Sequence, residues 1–208
     1  PIMIISITSR CNLTCKGCYM HARKEKPASE MSPEMLASII DQAAELGVSI
    51  IVIAGGEPLV RADEIIRIAK AHPNILFPVF TNGLLIDKEM AGILSSCRNI
   101  VPMISFEGLR DETDARRGNG VFDRLLTTCH LLTSRGIFFG CSITATSANL
   151  ERVTGEIFIR QMTDAHIRVF SYVEYVPMTT GTEDLILTHE QKQNLPGILT
   201  RLNQKYPA

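Results

Sequence analysis

Six short runs rich in β-branched and aromatic residues alternate with six longer stretches of helical periodicity along this 208-residue chain. The runs lie at about 2–8, 49–54, 76–81, 99–106, 137–144 and 167–175, each bounded by Gly, Pro, Asn or Asp. The helical stretches fall at about 33–46, 61–71, 87–96, 121–135, 149–164 and 188–204. In the first, Ser32 suits an N-cap and Pro33 the first helical position. Leu36, Ile39, Ile40, Ala43 and Ala44 then share one face, and Gly47 suits the residue that stops the helix. Phe122, Leu125, Leu126, Cys129 and Leu132 repeat the scheme before Gly136. Strand–helix units repeated this way build a parallel sheet with helices outside. Eight units close a barrel and typically take about 250 residues; six leave it open. The expected fold is therefore α/β, an open partial (β/α)6 TIM-like barrel. No linker or fixed-period repeat divides the chain, so one domain, 1–208, is expected. Pro1 runs straight into the first strand, and the chain reads as a fragment of a longer protein.

Ligands of open parallel sheets gather at the carboxyl ends of the strands, and the chemically unusual residues fall there. Cys11, Cys15 and Cys18 follow the first strand, and Gly55-Gly56-Glu57-Pro58-Leu59 the second. Thr81-Asn82-Gly83 closes the third, and Ser105, Glu107 and Gly108 close the fourth. Ser142 and Thr144 lie near the end of the fifth; Glu174, Val176 and Pro177 close the sixth. Period-two alternation puts Met103, Ser105 and Glu107 on one face of strand four, and Gly140, Ser142 and Thr144 on one face of strand five. A single site along one rim follows.

Thiolates are soft ligands that select zinc, copper(I) or iron–sulfur clusters. Structural zinc usually takes four ligands, often as two Cys-x-x-Cys pairs, and no second pair exists here. Cys97, Cys129 and Cys141 are scattered singly and read as small buried hydrophobes. His21, three residues after Cys18, would close a zinc site only in a tight knot. Three clustered cysteines cannot all pair as disulfides, and the chain carries no secretory signal. Two chemistries stay open: an iron–sulfur cluster with one iron lacking a protein ligand, and a zinc-stabilised α/β binding domain without redox catalysis. The net charge of −1 offers no basic field for nucleic acid or an anionic membrane. Apolar stretches are strand-length, below the roughly 20 residues of a membrane span. Six cysteines without a signal peptide point to a reducing, cytoplasmic compartment.

The run Cys11-Asn-Leu-Thr-Cys15-Lys-Gly-Cys18-Tyr19, with Gly-Gly-Glu-Pro after the second strand, resembles the radical S-adenosylmethionine (SAM) family. It is most similar to the branch containing peptide- and protein-modifying maturases and cofactor-biosynthesis enzymes. Two positions depart from the common pattern. Gly17 stands where many members have an aromatic residue, and Ser105-Phe106-Glu107-Gly108 where many have Ser-Ile-Asp-Gly. The resemblance implies that Cys11, Cys15 and Cys18 hold three irons of a four-iron, four-sulfur (4Fe-4S) cluster, and that SAM chelates the fourth. It implies reductive cleavage of SAM to a 5′-deoxyadenosyl radical, which abstracts hydrogen from a substrate. Gly55, Gly56 and Glu57 would meet the SAM amino group, largely through backbone carbonyls, with Glu57 alternatively only steadying the turn. Thr81 and Asn82 would line the SAM site. Ser105 and Glu107 would bind its ribose or methionine part, and Ser142 would make a further contact. Arg117 would pair with the SAM carboxylate or an acidic substrate, a solvated charge being the alternative. The Val176 backbone would meet the adenine edge. An electron donor such as flavodoxin or ferredoxin is implied, with a peptide among the candidate substrates. Some relatives continue into a cysteine-rich C-terminal domain, which in this protein would lie outside residues 1–208.

Overall fold

A computed structural model describes residues 1–22, 30–178 and 180–206, without the side chains of residues 21 and 22. The fourth-ligand reading of His21 therefore lies outside the described side chains.

Six parallel strands run in chain order: β1 (Ile2–Ser6), β2 (Ile50–Ala54), β3 (Phe77–Thr81), β4 (Ile100–Phe106), β5 (Gly140–Ala145) and β6 (Val169–Glu174). They curl into a half-barrel, the expected open (β/α)6 form. Eight strands close such a barrel; with six, β1 and β6 remain edges. Within the described residues the helices are α1 (Tyr19–Ala22), α2 (Pro33–Glu45), α3 (Ala62–Ala71), α4 (Lys88–Ser95), α5 (Arg110–Arg117), α6 (Val121–Ser134), α7 (Leu150–Val153), α8 (Glu156–Asp164) and α9 (His189–Lys205). The caps of α2 form as their chemistry dictates. The Ser32 side chain accepts from Met35 N, and Gly47 turns the chain at φ +76°.

Alternation sorts the strands into two faces. Ile51, Ile53, Phe77, Val79, Ile104, Phe106, Cys141 and Ile143 point outward into one cluster with Leu36, Ile40, Leu125, Leu132, Phe158 and Met162 of the helices. The other face lines the barrel interior. At the open edge its apolar side chains meet solvent, Ile2 and Ile4 being 67% and 73% exposed. Leu125 is fully buried in the outer cluster. Leu125→Ala should therefore lower unfolding stability by about 2–5 kcal/mol, read from a denaturant midpoint with an unchanged slope.

Two elements differ from the periodic reading. The stretch 149–164 divides into α7 and α8, because Gly155 takes an extended ψ of 151° and starts a new helix as its N-cap. The second is α5, which has no apolar stripe at all and buries only Thr113. Charge placement suits it to a helix all the same: Asp111 and Glu112 sit in the first turn, Arg116 and Arg117 in the last. The Glu112 carboxylate also accepts from Leu109 N at 2.9 Å.

Candidate active site

The β1–α1 loop is tied down by its neighbours before any ligand is considered. Thr8 O accepts from Gly56 N at 2.7 Å, and Arg10 O from Glu57 N at 2.8 Å. A Cβ on Gly56 would lie 2.3 Å from Arg10 O, and one on Gly55 2.6 Å from Thr8 O. Both glycines are thus required by the close approach of two backbones. Gly55 O also accepts from the Tyr19 hydroxyl at 3.0 Å. At the base of the loop, buried Arg61 donates to Ile7 O at 2.5 Å and pairs with Glu64. Sequence reasoning passed over Arg61, since a lone arginine before a helix carries no signal of its burial.

Glu57 is fully buried and turned away from the rim. Its carboxylate accepts from Leu59 N at 3.0 Å, the Thr81 hydroxyl at 2.7 Å and Asn82 N at 2.6 Å. Burial raises its pKa, and the three donors oppose that rise. Thr81, equally buried, lies on the outward face of β3 with Phe77 and Val79. Both residues organise the turn with their side chains. Asn82 points the other way and reaches the loop. Its Nδ2 donates to Asn12 Oδ1 at 2.7 Å and lies 3.8 Å from Cys11 Sγ. We expect Glu57→Gln, which sets an amide N–H against these donors, to cost about 1–3 kcal/mol and to weaken metal loading at Cys11, measured by iron content after reconstitution.

The far arm of the loop is held by charge. Buried Glu107 accepts from Arg116 Nη1 at 2.5 Å and from Arg117 Nε and Nη2 at 2.9 and 2.5 Å. Arg116 Nε donates to Lys16 O at 3.1 Å, and its own carbonyl accepts from Lys16 N at 2.9 Å. The Glu107 and Arg117 side chains therefore engage each other, and α5, unrecognised from sequence, is the element that delivers both arginines.

Between these anchors sit the thiols of Cys11, Cys15 and Cys18, free and half-buried. Burial raises the pKa of Cys11 and Cys15; the Arg117 and Arg116 guanidiniums pull Cys15 back down. The thiols feel one another, since Cys18 raises both and Cys11 raises Cys15. Yet among the described residues no three such side chains converge on a single ion. Three soft thiolates on one loop are the donor set of an iron–sulfur cluster, in which each takes a different iron. A structural zinc ion would need a fourth protein ligand.

Ser105 and Ser142 face the interior in register, and Ser142 pairs in turn with Ser171 of β6. The result is a row of hydroxyls across the interior face of β4, β5 and β6. Ser171 was missed in the sequence, where only its register with Ser142 could have found it. Val176, just past β6, is exposed at the rim.

An open barrel of parallel strands with polar groups and three thiols on one rim is an enzyme architecture. The chain belongs to the Radical SAM superfamily, whose sequence model matches residues 5–148. That family works with a 4Fe-4S cluster and SAM. Fe-coproporphyrin III synthase of Methanosarcina barkeri is 33% identical over 156 residues, 74% of this chain and 39% of that protein. Mycofactocin maturase MftC of Mycolicibacterium smegmatis is 30% identical over 196 residues, 91% of this chain and 49% of that protein. The chain thus spans less than half the length of either relative. Among solved structures, anSMEcpe with bound AdoMet and a peptide superposes over 99% of this chain and 60% of its own, with TM-score 0.77 at 18% identity. SuiB of Streptococcus suis covers 100% of this chain and 47% of its own, with TM-score 0.77 at 23% identity. At these identities the structures speak to the fold alone.

Proposed function

We propose that this chain is the cluster- and SAM-binding core of a radical SAM enzyme, with Cys11, Cys15 and Cys18 as the ligands of three irons. The observation that carries the proposal is the set of three neighbouring thiols after β1, in the family that uses this cofactor pair. Held by these cysteines, a reduced 4Fe-4S cluster would supply the electron for cleaving bound SAM to methionine and a 5′-deoxyadenosyl radical that could take hydrogen from a substrate.

The protein's part is position and exclusion of water. Gly55 and Gly56 present backbone to the SAM amino group. Ser105 and Ser142 offer hydroxyls to its ribose, and the Val176 backbone meets adenine. Glu57, Thr81 and Asn82 hold the Cys11 arm of the loop. Glu107 and Arg117, with Arg116, hold the Cys15–Cys18 arm and leave a net positive charge beside the thiolates. The relatives' names point to peptide maturation or tetrapyrrole and other cofactor biosynthesis as the substrate class. A flavodoxin or ferredoxin is the fitting electron donor, and a reducing cytoplasm the fitting setting. No helix among the described residues is long and apolar enough to cross a membrane. The test is anaerobic reconstitution with iron and sulfide, then dithionite and SAM. 5′-Deoxyadenosine should accumulate. A chain that holds the cluster and leaves SAM intact contradicts the proposal.

A further inference from the structure

We infer that the Tyr175 hydroxyl donates a hydrogen bond to a sulfur of the cluster and thereby sets its reduction potential. The inference rests on the cluster assignment above. Tyr175 follows β6 and is only 6% exposed. Its hydroxyl is fully shielded from solvent and has no hydrogen-bond partner among the described residues. Leaving a buried hydroxyl unpaired is unfavourable, so the position asks for a reason.

The surroundings name the missing partner. The ring lies against Gly17, in the segment between Cys15 and Cys18; a Cβ there would sit 3.0 Å from the hydroxyl oxygen. Gly17 has φ +65°. Its conformation and its lack of a side chain together admit the tyrosine to the cysteine loop. Nor can the ring easily turn aside. Tyr175 N donates to Ala145 O at 2.9 Å, which fixes the backbone. The Arg116 guanidinium lies over the ring, 6.0 Å from its centre, and is itself held by Glu107 and Lys16 O. The phenol is thus held with its one donor buried against the loop that carries the thiolates. Thiolate and sulfide are the acceptors that this loop would bring.

A donor aimed at cluster sulfur stabilises the reduced, more negative state over the oxidised one and raises the potential. Tyr175→Phe keeps the ring and its contact with Arg116 but removes the donor. Both proteins would be reconstituted anaerobically as the full 208-residue chain, assayed for iron and sulfide, and titrated potentiometrically by EPR without SAM. The variant should load comparable iron but titrate at a more negative midpoint. At the wild-type midpoint its reduced-to-oxidised ratio should fall severalfold. Deuterium ENDOR in heavy water should also lose one exchangeable deuteron coupled to the reduced cluster, a readout independent of how much cluster is loaded. Equal midpoints with an unchanged deuteron signal would overturn the inference while leaving the cluster assignment standing. A shift seen only after SAM is added would overturn it too, by placing the donor on SAM. Failure of the wild type to take up iron and sulfide would instead remove the cluster assignment, and this inference with it.

Discussion

Cys15→Ala is expected to fold and to take up almost no iron, and so to yield no 5′-deoxyadenosine. The thiol sits in the loop after β1, outside the outer hydrophobic cluster, so its loss removes a ligand without opening a core cavity. Two remaining thiolates cannot hold a cluster that depends on three. Cys129→Ala is the matched control. That cysteine is fully buried in the outer cluster, and burial pushes its thiol up to about 12, which leaves it protonated and useless as a ligand. It should lose roughly 1–2 kcal/mol of stability to a small cavity and retain its iron. Comparable iron in Cys15→Ala and wild type would contradict the ligand assignment.

The second large effect concerns Glu107. Glu107→Gln leaves two adjacent guanidiniums, 22% and 12% exposed at their side chains, without their shared counter-charge. Breaking a buried ion pair from one side costs about 3–5 kcal/mol. A fall of that size in unfolding free energy should appear in a denaturant titration, with loosened cluster binding because Arg116 also grips Lys16 O. The cost comes from charge left unpaired, so converting Arg116 and Arg117 to methionine in the same chain should recover part of it. A loss below about 1 kcal/mol for Glu107→Gln, as for a solvated surface pair, would show that the three side chains do not form the anchor described.

The fold was legible because strand chemistry and helix periodicity agree along most of the chain. Each expected strand overlaps an observed one, the thiols and the Gly-Gly turn follow β1 and β2 at one rim, and the serines lie on the interior face. What was not legible is where side chains point once two loops meet. Thr81 was expected at the cofactor and Glu57 either there or steadying the turn; their side chains lie on the outward, buried side and bond each other. For Thr81, alternation with Phe77 and Val79 already held the answer. Glu107 was expected on SAM, and Arg117 on SAM, on an acidic substrate or in solvent; their pairing required α5, a helix with no apolar face for periodicity to detect. Tyr175 carries no distinguishing signal in the sequence. Its meaning depends on Gly17, far away in the chain, and on an oxygen whose lack of a partner exists only in three dimensions.

The central claim is a cluster held by Cys11, Cys15 and Cys18 with one iron left for SAM. Mössbauer spectroscopy of anaerobically reconstituted protein enriched in iron-57 tests it most directly. The account predicts a 4Fe-4S spectrum in which about a quarter of the iron signal moves when SAM is added. A spectrum indifferent to SAM, or a colourless protein that takes zinc in place of iron, would contradict it.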